Sequence, residues 1–78
     1  MRHTISTLVR NEPGVLAAMA LVFQRHGINI RSISCGETER EDVSRMIICV
    51  EPDEGKIKAV TDEIASLDFV LRLEDLSG

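Results

Sequence analysis

Asn11-Glu12-Pro13-Gly14 is the stretch of this sequence best equipped for chemistry. It lies between an alternating segment and a periodic apolar one, where a strand turns into a helix. Pro13 suits a first helical turn, because its missing N–H would have had no acceptor there. The first amides of a helix lack intrahelical partners and carry partial positive charge. The N–H groups of Gly14, Val15 and Leu16 therefore form a receptor for a small carboxylate. Gly14 has no Cβ to keep a ligand away from the backbone, and Asn11 donates to a carboxylate or accepts from an ammonium group. Both ends of a free amino acid can be read at such a place. The same residues read equally well as a plain strand-to-helix turn with Asn11 in an Asx-turn.

The other reactive side chains are scattered. Cys35 and Cys49 stand in separate apolar stretches without C-x-x-C spacing. If those stretches form a hairpin turning near residues 39–42, Cys35 faces a residue around 46 and Cys49 one around 32. A disulfide would then need a register shift or a bulge. No basic residue adjoins either cysteine to hold a thiolate, so both read as core thiols. Neither a signal peptide nor an apolar run of ~18 residues is visible, which fits a reduced, cytoplasmic chain with no membrane partner. Two cysteines and two distant histidines lack ligand spacing, so no metal is expected. His26, near a helix end, reads as a partner of the helix's carbonyl end, and His3 and Arg31 as surface groups.

The elements that must position these groups follow from periodicity. Residues 3–10 put Ile5, Thr7 and Val9 on one face and Thr4, Ser6 and Leu8 on the other, a strand. Leu16, Met19, Ala20 and Phe23, widened by Val15 and Val22, make the stripe of a helix over 13–26, with Gly27 as its stop. Residues 28–35 and 43–50 read as two strands of a hairpin around the charged stretch at 36–42. Five consecutive apolar residues, Met46 to Val50, predict that the second is an interior strand covered on both faces. Pro52, Asp53 and Gly55 open a second helix with the stripe Ile57, Val60, Ile64 and Leu67, ending near Leu67. Residues 69–74 close the chain as a strand with Phe69, Leu71 and Leu73 on one face. The order βαββαβ is the α+β, ferredoxin-like architecture: a four-stranded antiparallel sheet with two helices on one face.

Seventy-eight residues with 44% hydrophobic content make one domain spanning 1–78. A chain this short buries only about 60–65% of its unfolded surface, so support from a metal, a disulfide or a partner subunit is expected. With the first two set aside, self-association remains. A net charge of −4, with Phe23 and Phe69 the only aromatic residues, argues against nucleic acid. An RNA-recognition domain of this fold needs stacking rings on its central strands, where this chain has Ile5 to Val9 and Met46 to Val50. A metal carrier needs a thiolate pair in the first loop, where Asn11 to Leu16 stand. An acyl-phosphate hydrolase needs an arginine in a phosphate-cradling loop; Arg10 precedes the loop, but the loop itself carries the acidic Glu12.

Five segments together carry a resemblance that covers nearly the whole chain: N-E-P-G-V-L at 11–16, G-I-N-I-R-S-I at 27–33, T-E at 38–39, S-R-M at 44–46 and V-L-R-L-E-D-L at 70–76. The chain resembles the N-terminal ACT domain of the acetohydroxyacid synthase (acetolactate synthase) small regulatory subunit. It departs from that family at Cys35-Gly36-Glu37, where a small-residue-plus-proline pattern is usual, and in the ending of the second helix. The resemblance implies a regulatory domain with no catalytic residues or cofactor of its own. Its partner would be the thiamine-dependent catalytic subunit of acetolactate synthase, and its effector a branched-chain amino acid, usually valine. It further implies a ligand held between two ACT domains, by the loop matching Asn11, Gly14, Val15 and Leu16 and by the strand start matching Asn29 and Ile30 of the neighbouring chain. The expected assembly is a homodimer whose sheets join edge to edge into eight strands, with the first helices adjacent across the two-fold axis. Ser44 and Arg45 are read as a strand-entry serine and a solvated arginine, with docking of the catalytic subunit as the alternative. A stand-alone ACT module for another amino-acid enzyme, a ligand-free oligomerisation domain and an acyl-phosphate hydrolase remain open.

Overall fold

Along β1 (His3–Arg10) Ile5, Thr7 and Val9 are almost fully buried, the period at which a strand offers one face to a core, while Ser6 on the other face is only just buried. The computed structural model describes residues 2–53 and 55–77. β2 (Ile30–Glu37), β3 (Val43–Val50) and β4 (Val70–Asp75) join β1 in one antiparallel sheet of order β2-β3-β1-β4. With α1 (Val15–Arg25) and α2 (Lys56–Ala65) the expected βαββαβ order is complete. Val15, Met19, Val22 and Phe23 of α1 and Val60 and Ile64 of α2 share one core cluster with Ile5, Val9, Met46, Ile48 and Val50, so both helices cover the same face. α2 packs on β4 and α1 on α2, which places α1 toward the β2 side.

Helix α1 begins two residues later than its periodicity predicts. Gly14 has φ 87° and ψ −9°, a left-handed conformation that no α-helical residue adopts, so Pro13-Gly14 is the turn and Val15 the first helical residue. At the other end Gly27 (φ 69°) closes a Schellman motif. The Ile28 N–H bonds the Phe23 carbonyl at 2.9 Å and the Gly27 N–H that of Gln24 at 2.9 Å. Because Ile28 belongs to this cap, β2 starts at Ile30 rather than 28 and runs on to Glu37.

Four expectations about burial are corrected. β3 is interior to the sheet, paired with β1 and β2, but only Met46, Ile48 and Val50 are buried beneath the helices; Ile47 and Cys49, on the opposite face, are half-buried, and among the described residues no helix covers that face. Leu16 is 48% exposed, because the α1 core face is set by Val15, Met19, Val22 and Phe23. Leu71 is 50% exposed: the β1–β4 register jumps from Leu8–Arg72 to Val9–Val70, so Leu71 is an extra residue in a bulge and Val70 turns inward with Leu73. Cys35 is exposed, because it stands on the edge strand β2, where every residue after Ile30 is exposed.

The start of β1 is stitched to the residues that follow β4. The Leu76 N–H bonds the Thr4 carbonyl at 2.8 Å, and the Thr4 N–H bonds Ser77 Oγ at 2.6 Å. His3, read as a surface group, is half-buried with Nδ1 2.8 Å from Asp75 Oδ2.

Candidate functional site

The loop that leaves β1 is tied to its neighbours through the backbone. Arg10 N–H bonds the Phe69 carbonyl at 2.9 Å, Asn11 N–H that of Asp42 at 2.9 Å, and Glu12 N–H that of Arg10 at 3.0 Å. The Asn11 side chain donates from Nδ2 to the Glu41 carbonyl at 3.1 Å. Pro13, two residues on, has no N–H to close an Asx-turn on Asn11 Oδ1, so that reading is set aside. Through Nδ2 Asn11 fastens the loop to the β2–β3 hairpin tip, and among the described residues Oδ1 accepts no hydrogen bond and can receive an ammonium group. Glu41 takes part through a backbone carbonyl, a role with no signature in residue type.

Beyond Asn11 the helix start presents its amides outward. The Val15 N–H makes only a long contact of 3.4 Å to the Glu12 carbonyl, and Ala18 N–H makes the first full helical bond, to Gly14 at 2.9 Å. Among the described residues no hydrogen bond is made by the N–H groups of Gly14 and Leu16. A Cβ at Gly14 would meet nothing within 4 Å, so the approach to these amides is open. Gly14 is the N-cap and not a first-turn residue, so any side chain there is strained by its φ of 87°.

The hairpin tip beside Asn11 is internally ordered. Thr38 Oγ1 donates to the Val43 carbonyl at 2.9 Å and accepts from Arg40 N–H at 3.1 Å. Arg40 grips Asp42 through Nε at 3.1 Å and Nη2 at 2.7 Å, and this bond holds the Asp42 carboxyl below its ordinary range. A groove of about 420 Å³ between loop and hairpin is walled by Arg10, Asn11, Glu12, Arg40 and Leu71.

The second half of the expected site lies elsewhere in the chain. β1 and β2 both run antiparallel to β3 and are therefore parallel to each other. Ile30 pairs with Val50, which pairs with His3, whereas the 11–16 loop follows Arg10, paired with Val43. These two rows are seven residues apart along β1, roughly 24 Å at the rise of a strand. Asn29, exposed, and Ile30, half-buried, thus stand at the opposite end of the sheet from Asn11, Gly14, Val15 and Leu16 of the same chain. Within one chain the structure brings together the loop residues and separates them from Asn29 and Ile30.

The remaining reactive groups are accounted for by structure. His26 Nε2 lies 2.7 Å from Glu63 Oε1, and Arg25 bonds the other oxygen, so His26 links α1 to α2 instead of facing its own helix end. The His26 bond, then the Arg25 bond, lower the Glu63 carboxyl. The cysteines oppose Met46 and Ser32, as the hairpin spacing predicts. The Cys49 thiol is nonetheless drawn down by the hydroxyl of Ser32 and then that of Thr4, whose Oγ1 is 3.6 Å from Sγ. Among the described residues no cluster of three or more His, Cys, Asp or Glu could hold a metal ion, and no helix is long and apolar enough to cross a membrane.

Residues 5–72 match the family described as the AHAS small subunit-like ACT domain. A protein of Archaeoglobus fulgidus named "Probable acetolactate synthase small subunit" is 43% identical over 77 residues, covering 99% of this chain and 48% of the relative. The acetolactate synthase small subunit of Mycobacterium avium is 42% identical over 74 residues, 95% of this chain and 44% of the relative. The crystal structure of the acetolactate synthase small subunit from Thermotoga maritima superposes with a TM-score of 0.84 at 36% identity, covering 96% of this chain and 47% of that one. The chain spans about half the length of the relatives it matches.

Proposed function

Because the chain belongs to the acetolactate synthase small subunit-like ACT domains, we propose that it binds a branched-chain amino acid, valine first, between two copies of itself. Through that site it regulates the catalytic subunit of an acetolactate synthase, with no catalytic residues of its own. The observation that carries the reading is the separation of Asn29 and Ile30 from the 11–16 loop by the length of the sheet. A two-fold partner pairing along β2 runs its own β2 in the opposite direction. Its Asn29 and Ile30 then arrive at the Glu37 end, where the first chain's 11–16 loop stands. The ligand's carboxylate meets the amides of Gly14 to Leu16, its ammonium meets Asn11 Oδ1, and Asn29 of the partner subunit closes the site.

The surfaces needed for that pairing are bare in the single chain. β2 is an exposed edge strand with Ile33 37% exposed, and unpaired edges are templates for a further strand. On α1, Leu16, Ala17, Ala20 and Leu21 form an apolar strip next to the core-facing side, with Leu21 52% exposed. A dimer would cover both at once.

Complementation tests the reading directly. Asn11→Ala and Asn29→Ala should each weaken valine in isothermal titration by about 1–3 kcal/mol, ten- to hundredfold. Mixed in equal amounts and allowed to exchange, the two variants should regain parent affinity at about a quarter of the sites, because each hybrid dimer carries one intact site and one doubly broken one. No recovery on mixing would place the site within one chain, and no binding of valine, leucine or isoleucine by the parent would reject the ligand class.

A further inference from the structure

The face of the sheet away from the helices carries an arrangement that the amino-acid site does not use. Arg45 of β3, Leu8 of β1 and Arg72 of β4 stand in one cross-strand row, Leu8 being the register partner of both arginines. Strand spacing sets the two arginine Cα atoms about 10 Å apart across Leu8. Among the described residues neither arginine makes an ion pair, whereas Arg25, Arg31 and Arg40 all do. Like charges brought into one row of a sheet repel, a cost that an external anion removes. Beside the row lies a groove of about 670 Å³ with an apolar floor of Leu8, Val43 and Leu71. Leu71 reaches it because the β4 bulge turns it out of the core.

We propose that this open face is the docking surface for a segment of the catalytic subunit that presents carboxylates on either side of an aliphatic side chain. The aliphatic group would lie on Leu8 and Leu71, and the carboxylates would meet the guanidinium groups of Arg45 and Arg72, whose methylene stems widen the apolar contact. Charge complementarity selects this occupant. A second copy stacked face to face would set one arginine row against another, which like-charge repulsion opposes. A nucleic acid would carry a continuous run of phosphates past the bordering Glu37, Glu39 and Glu74 of a chain of net charge −4, whereas a segment with only two carboxylates can set each on an arginine and keep clear of those glutamates. The inference rests on the regulatory-subunit reading for the identity of the partner, but not on its amino-acid site.

The test measures binding of the purified catalytic subunit by the whole chain, alongside its valine titration. The double variant Arg45→Glu/Arg72→Glu should lose at least tenfold in affinity for the catalytic subunit, and Arg45→Lys/Arg72→Lys should keep most of it. Both should bind valine as the parent does. Cys49 stands on this same face and Cys35 on the other, so in the unmutated protein the catalytic subunit should slow maleimide attack on Cys49 and leave Cys35 unchanged. That second measurement holds even if the charge-reversed variant fails to fold. Parent-like binding by the charge-reversed variant, or unshielded Cys49 in the complex, overturns the proposal. So does a parent that binds valine but not the catalytic subunit, or a charge reversal that alters only self-association. A parent that binds the catalytic subunit through these arginines but no amino acid keeps this surface and rejects the ligand reading instead.

Discussion

The two edges of the sheet are built to opposite specifications. At the β4 edge the strand lies under α2, a bulge at Leu71 breaks its regular pairing, and His3, Asp75 and Ser77 lock its far end to β1. At the β2 edge the only irregularity lies at the start, between Ile30 and Ser32, and the run to Glu37 is regular and exposed. The bulged and covered edge is a protected one, in the way proteins commonly blunt their free strands. The straight and bare edge is the one left able to accept another strand. One sheet thus encodes which side is closed and which is open to a partner.

The largest expected effect breaks that contrast on the open side. Leu21, on α1 toward β2, and Leu71, on β4, are equally exposed, at 52% and 50%. Leu21→Glu should therefore cost the single chain little but weaken dimerisation by about 3 kcal/mol, roughly hundredfold. Leu71→Glu should leave the dimer intact. Sedimentation at micromolar concentration checks both, and equal behaviour of the two variants would erase the distinction between the edges.

The helix entries sharpen it next. Gly14 opens α1 on the β2 side and Gly55 opens α2 on the β4 side, with φ of 87° and 88° and open space where a Cβ would go. Alanine at either position should lower stability by about 1–2 kcal/mol through backbone strain alone, read from the urea midpoint. Only Gly14→Ala should also weaken valine, because only that entry faces the expected ligand. Such a substitution must therefore be judged against its Gly55 counterpart before a loss of binding is assigned to the site.

A smaller effect belongs to the closed side. Burial pushes the Asp75 carboxyl up, but the Ser77 N–H and the His3 ring outweigh it, and the carboxyl sits below its ordinary value in the fold. Folding therefore favours the ionised form. The resulting stabilisation is complete above the ordinary carboxylate pKa and is lost as pH falls through the lowered one. Between pH about 5 and 2 the melting temperature of the parent should fall more steeply than that of Asp75→Asn. Parallel profiles would mean that the clamp adds nothing. The smallest effect returns to β2: Ser32→Ala should slow maleimide alkylation of Cys49 near neutral pH and leave Cys35 unchanged, since Ser32 is the main group lowering the Cys49 thiol.

Much of this was readable from residue spacing, and the exceptions share a cause. The two-residue period of Ile5, Thr7 and Val9, the stripe on α1 and the helix stop at Gly27 are local patterns, and each found its place. Hairpin counting even set Cys35 against Met46 and Cys49 against Ser32. Periodicity, however, says which side chains share a face and not whether another element covers that face. Leu16, Ile47 and Cys35 looked like core residues, yet among the described residues no element covers them fully. It is equally blind to an inserted residue: one bulge reversed the roles of Val70 and Leu71. At the candidate site the loop amides followed from Pro13 and Gly14, but the hold of Asn11 on Glu41 is made to a backbone carbonyl. The expected pairing of Asn29 with that loop rests on family resemblance alone, and residue spacing could not suggest it, since within one chain the two lie at opposite ends of the sheet.

The stitch between Thr4 and Leu76–Ser77 has a consequence for protein engineering. Because Thr4 adjoins Leu76 and Ser77, a short linker placed between those positions would not cross the sheet, and the domain could be opened instead at the 38–42 tip. Every strand pair would survive such a circular permutation, while the covalent continuity of the β2–β3 hairpin, against which Asn11 is braced, would be lost. The permutant would therefore keep the fold while cutting the chain next to the candidate amino-acid loop.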